Sequence, residues 1–143
     1  MPVAVKRVYE EAAPSDGVRI LVDRLWPRGL RKSEVDAVEW LRDLAPSNEL
    51  RKWFHTQPEH WQVFRRRYLK ELARPEAEKD LLTLYRLAHK RKRLTLLFAS
   101  KNEKHNNATV LKDLLDGVRK PPTGTGPAAL RSARTRDAAA RRR

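Results

Sequence analysis

At 143 residues the chain is long enough for one hydrophobic core and short for two, so residues 1–118 are expected to form a single α/β domain. Half of the formal net charge of +14 falls in residues 119–143, where eight Lys and Arg stand against one acidic residue. The absence of cysteine excludes disulfides, thiolate catalysis and Cys-ligated zinc or iron–sulfur centres.

Val3, Val5 and Val8 with Tyr9 suggest a first strand, and Glu11 to Gly17 reads as a turn. Val18 to Leu25 holds the continuous run Ile20, Leu21, Val22, the pattern of a strand covered on both faces. The segment Glu10 to Gly17 is too short for an ordinary parallel crossover, so these strands, if neighbours, should run antiparallel. Ser33 with Asp36 predicts a helix start, and Val35, Val38, Trp40, Leu41 and Leu44 its apolar stripe, stopped by Pro46. Ser47 suits the cap of a short helix with Leu50, Trp53 and Phe54. Pro58 suits the first turn of another, with Trp61, Phe64, Tyr68 and Leu72 on one face. Pro75 opens a fourth, carrying Ala77, Leu81, Leu84, Tyr85 and Ala88. Leu94 to Ala99 is a third, buried strand, and Asn106 or Asn107 caps a last helix with Val110, Leu111, Leu114 and Leu115 that ends at Gly117. Beyond it, Pro121, Pro122, Gly124, Gly126 and Pro127 within an Ala- and Arg-rich stretch predict a disordered basic tail.

This order predicts a small mixed sheet with parallel central strands and helices packed around it. No apolar run reaches membrane-spanning length, and Met1 to Glu10 lacks the hydrophobic stretch of a secretory signal. The expectation is a cytoplasmic protein without a membrane partner.

Ligands of open α/β sheets collect outside the carboxyl ends of parallel strands. Two polar segments leave the buried strands there, Asp23 to Gly29 and Lys101 to Asn107. Arg24, Arg28 and Lys101 are candidate ligands of a phosphate or carboxylate, with Trp26, Asn106 and Asn107 beside them. His105 is a candidate acid or base, with Asp23 to orient it or serve as the base. Against these stand plainer roles: Asp23 paired with an arginine, Asn106 and Asn107 as helix caps, His105 as an ordinary loop residue. No metal-ligand pattern is present, because His55 and His60 fall on different helix faces and no carboxylate-rich loop occurs. The residues name no cofactor, substrate or oligomeric state.

The leading functional expectation is a small enzyme or ligand-binding domain for an anionic, phosphorylated or nucleotide-like molecule, held by Arg24, Arg28 and Lys101 with His105 as candidate acid or base. The alternative is a non-catalytic nucleic-acid-associated protein that uses Arg65, Arg66, Arg67 and Lys70 beside Trp61 and Tyr68, together with non-specific phosphate contacts from the tail.

The strings Leu-Val-Asp-Arg-Leu-Trp-Pro-Arg-Gly at 21–29, Ala-Pro-Ser-x-Glu-Leu-Arg-Lys-Trp-Phe at 45–54 and Lys-x-x-x-His-Asn-Asn-Ala at 101–108 resemble the YeaO-like branch of the domain-of-unknown-function family 488. The resemblance spans most of residues 3–116 and implies a fold and a site location, but no reaction. Its motif positions are Asp23, Arg24, Trp26, Pro27, Arg28 and Gly29, then Trp53 and Phe54, then Lys101, His105 and Asn106. Longer relatives often carry a cysteine where Asn106 stands, so a thiol role there cannot apply to this chain. Close relatives usually read Gly-His-Asp where this chain has His55, Thr56 and Gln57.

Overall fold

The computed structural model describes residues 3–90 and 93–117, and the basic tail expected at 119–143 lies outside the described residues. The described residues fall into two compact units, 3–46 with 83–117, and Ser47–Leu82.

The first unit holds a four-stranded sheet ordered β1-β4-β2-β3, with β1 at Val3–Arg7, β2 at Val18–Leu21, β3 at Glu39–Trp40 and β4 at Leu94–Phe98. Every pairing is parallel, so the parallel central strands expected from the sequence are present and the sheet is parallel throughout where a mixed one was expected. β4 is buried at all five positions because it has a strand on either side and cover on both faces. The α5 helix, Asn107–Gly117, lies against β1 and β4 and buries Val110, Leu111 and Leu114.

The antiparallel pairing considered for the first two strands does not arise, because β4 separates them and pairs with both. The chain returns from β1 to β2 without a crossover helix, through Val8 to Gly17 and one 3-10 turn at Pro14–Asp16. That tight return requires Gly17. Its φ is +67°, and a Cβ there would sit 2.6 Å from the Arg93 carbonyl oxygen at the start of β4.

Leu21 of β2 and Leu97 of β4 share one sheet face, and they pack with Val8 and Val35 and with the half-buried Trp26, Leu30 and Trp40. The same face carries a buried polar knot. Asp16 accepts from the Ala13 amide, from Lys6 and from the Arg19 guanidinium, while its own carbonyl accepts from the Thr95 hydroxyl. Arg19 also donates to the Val35 and Asp36 carbonyls.

These contacts explain the main departure from the sequence reading. In place of one helix from Ser33 to Leu44 there is a single turn, α1 at Lys32–Val35, then β3, then a 3-10 turn at Arg42–Leu44. Asp36 takes a left-handed φ of 50°, which ends the helix, and Arg19 takes the carbonyls left over. The Val38 and Leu41 amides donate instead to Arg19 and Leu21 carbonyls of β2. Val38, expected in the apolar stripe, is 63% exposed. β2 is also shorter than expected, ending at Leu21, and the chain bends at residues 24–25.

The second unit follows the sequence more closely. Ser47 caps α2, Asn48–Thr56, by accepting from the Leu50 amide, and Glu71 accepts from both the Ser47 amide and hydroxyl. α2 lies against α3, Trp61–Leu72, whose Phe64, Tyr68 and Leu72 are buried. Pro58 precedes α3 by three residues instead of occupying its first turn.

The α4 helix, Pro75–Lys90, begins in this unit and ends in the first, where Tyr85 is 4% exposed. The Tyr85 hydroxyl is buried with no hydrogen-bond partner, and burial pushes its pKa up. Tyr85→Phe removes an unmet donor and keeps the ring, so it should leave stability unchanged or raise it by about 1 kcal/mol in urea unfolding. A loss beyond about 1 kcal/mol would show that the hydroxyl is bonded.

Candidate functional site

Because β2 and β4 are adjacent and parallel, the segments following Leu21 and Phe98 leave by one edge of the sheet. Asp23 ties them together. One carboxylate oxygen accepts from the Ala99 amide at 2.8 Å and the other from the Asn107 side-chain amide at 3.1 Å. Asn107 also donates to the Val22 carbonyl at 3.0 Å, so the first residue of α5 is bolted to the end of β2. The Trp40 indole donates to the Asp23 carbonyl and packs edge-on against Trp26, which brings the end of β3 to the same place.

The segment 100–106 is organised by its own polar side chains. The Asn102 carboxamide oxygen accepts from the Lys104 and His105 amides, and the Asn102 carbonyl accepts from the Asn106 side chain. Asn106 accepts from the Thr109 amide while the Thr109 hydroxyl accepts from the Asn106 amide, a reciprocal cap for α5. Asn106 and Asn107 are buried, His105 is half-buried, and Lys101 is exposed. The capping role foreseen for Asn106 is therefore the one it fills.

The cations divide between two anchors. Arg24 is half-buried and donates to the Ala45 carbonyl, in the chain that follows β3, and its Nε is buried with no partner. Arg28 is exposed, and its carbonyl accepts from the Tyr9 hydroxyl at 3.1 Å, in the chain that follows β1. The Trp26 indole donates to the Leu30 carbonyl, closing the 26–30 turn in which Gly29 has a φ of 83°. Ion pairs formed among the described residues include Lys6 and Arg19 with Asp16, Arg31 with Glu34, and Lys112 with Asp116, and none uses Arg24, Arg28 or Lys101.

Two residues that the sequence did not assign to the candidate site belong to this edge. Arg7 donates to the Ala99 and Ser100 carbonyls, and its guanidinium lies 5.1 Å from the centre of the Tyr9 ring. Had β1 run antiparallel to β2, Arg7 and Tyr9 would sit at the opposite edge. The signal that could have found them was the arginine and tyrosine at the close of the first strand, read with a parallel sheet in mind.

A depression of about 440 Å³ opens at the other edge, by the amino ends of β1 and β4, and is lined by Ser15, Asp16, Arg93, Thr95, Lys112 and Asp116 among others. Its charges are largely met within the protein, since Lys112 pairs with Asp116, Asp16 with Lys6 and Arg19, and Arg93 donates to the Ser15 carbonyl. In the second unit, Arg66, Arg67 and Lys70 are exposed on α3 and Arg65 is half-buried. The rings nearby are engaged with one another. Arg67 lies 4.7 Å from the Trp53 ring centre, His60 stacks with Trp53, and Phe64 stacks with Phe54 and Trp61. Among the described residues no three His, Asp or Glu side chains group as metal ligands, and no helix is long and apolar enough to cross a membrane.

The profile of the inactive DUF488-N3 subclade matches residues 2–124. The chain is 48% identical over 117 residues to uncharacterized protein YeaO of Escherichia coli K12, a match covering 80% of this chain and 97% of that protein. It is 43% identical over 115 residues to uncharacterized protein Rv3073c of Mycobacterium tuberculosis H37Rv, covering 80% and 94%. No solved structure matches. With the profile extending from β1 through α5 and each polar segment of the carboxyl edge inside it, the chain belongs to the DUF488 family, in the subclade described as inactive DUF488-N3.

Proposed function

We propose that the carboxyl edge of the sheet binds a small anionic ligand, phosphate or nucleotide-like, and holds it without turnover. The observation that carries this reading is the set Arg24, Arg28 and Lys101, three cations that follow the carboxyl ends of β2 and β4 and form no ion pair among the described residues, one of them half-buried. A half-buried guanidinium is ordinarily matched by an acid, and a phosphate supplies the same bidentate geometry. Binding without chemistry fits the description of the subclade as inactive. It also fits Asp23, whose two oxygens are occupied in joining β2 to β4 and α5, so that its work is positioning. The nucleic-acid alternative, through Arg65 to Lys70 and the tail, is less favoured because the aromatic rings on that helix already stack within the protein.

Calorimetric titration with inorganic phosphate, pyrophosphate and ribose 5-phosphate tests the reading. At least one should bind the wild type, and Arg28→Ala or Arg24→Gln should weaken it by about tenfold or more, the loss of one charge-assisted bond. No binding, or equal binding by all three proteins, would overturn the site. Product formation abolished by His105→Ala would overturn the absence of turnover.

A further inference from the structure

We propose that the ligand of this edge is a nucleotide whose base stacks on Tyr9, an inference that rests on the anion-binding reading above. Tyr9 is 42% exposed, high for an aromatic ring at the end of a buried sheet. It is nevertheless held at both ends. Its hydroxyl donates to the Arg28 carbonyl at 3.1 Å, and the Arg7 guanidinium lies over its ring. Arg7 is itself pinned, donating to the Ser100 carbonyl at 3.0 Å and the Ala99 carbonyl at 3.1 Å. The ring is therefore a braced plate between the segment that carries Arg28 and the segment that carries Lys101.

The hydroxyl and one face are engaged while Tyr9 remains 42% exposed, so a ligand would add to the opposite face. A planar base can add to that face without disturbing any bond already made. A guanidinium behind the ring does not compete with stacking in front of it, and base–aromatic stacking is tolerant of base identity. Bare phosphate or a sugar phosphate has no group for this surface. The bond from Tyr9 to the Arg28 carbonyl joins a stacking plate to the segment of a cation that forms no ion pair among the described residues, the combination a nucleoside phosphate uses.

The test compares AMP, GMP and UMP with ribose 5-phosphate by calorimetry, on wild type, Tyr9→Leu, Tyr9→Phe and Arg28→Ala, with circular dichroism melting to check each fold. At least one nucleotide should bind the wild type about tenfold or more tightly than ribose 5-phosphate. Tyr9→Leu should erase that margin, and Tyr9→Phe, which loses the same hydroxyl bond but keeps the ring, should retain most of it. If nucleotides bind no better than ribose 5-phosphate while Arg28→Ala still weakens both, the base plate is wrong and the anion site stands. A margin that survives Tyr9→Leu also overturns the plate. If no phosphate compound binds at all, both readings fall together.

Discussion

Replacing Asp16 by Ala is expected to cost about 3–5 kcal/mol of folding stability, the usual result of leaving a buried arginine without its acid. Asp16 and Arg19 are 8% and 4% exposed. The carboxylate joins Lys6 of β1, the Ala13 amide of the return segment and Arg19 of β2, while its carbonyl holds Thr95 of β4. Its loss would reach β1 and β2 directly and β3 through the Arg19 bonds to Val35 and Asp36, while the Thr95 bond of β4 is to a main-chain carbonyl that Ala keeps. Urea unfolding at neutral pH measures the effect, and a loss below about 1 kcal/mol would show that the knot contributes little.

Acidification provides an independent check on the same group. Burial works to raise the Asp16 carboxyl, but the Ala13 amide, Lys6 and Arg19 outweigh it and hold the pKa below the ordinary value of 3.8. A depressed folded pKa means that the stabilisation is complete above 3.8 and is lost as the pH falls below that toward the folded value. The stability gap between wild type and Asp16→Asn should accordingly be constant near neutrality and narrow only in that acid range. A gap that narrowed near pH 6 would implicate another group.

Asp23→Ala should lower stability by about 1–3 kcal/mol for each donor it leaves unmet, the Ala99 amide fully and the Asn107 side chain in part. Asn107 keeps its bond to Val22, so α5 should stay folded while the 99–107 segment loosens. Faster amide exchange at Ala99 and weaker phosphate binding would follow from that loosening. If Asp23 were instead a base for His105, Asp23→Asn would abolish turnover of some substrate while leaving exchange at Ala99 unaltered. The two measurements separate a joint from a catalyst.

Much of this was readable in the chain. Ile20 to Val22 and Leu96 to Phe98 are apolar without alternation, the pattern of a strand covered on both faces. Ser47, Pro75 and Asn106 marked helix starts because each solves a local problem of unmet amides or fixed φ. The failure at residues 33–44 has the opposite cause. Val35, Leu41 and Leu44 do face inward, as the helical spacing predicts, yet through a turn, a two-residue strand and a 3-10 turn. What decided the matter was Arg19, far away in sequence, claiming the carbonyls that would have continued the helix. At the candidate site, the two segments and their common edge followed from strand order. Arg7 and Tyr9 did not, because the direction of β1 depends on β4, which enters the chain almost ninety residues later.

That late arrival of β4 has a consequence for how the protein is made. β1 pairs with β4 alone, and β2 has only the two-residue β3 until β4 appears. On the ribosome the first three strands can therefore make only the short β2–β3 pairing, and β1 gains its partner when Leu94–Phe98 has emerged and entered between strands already synthesised. The sheet is a slot that the nascent chain fills from its far end.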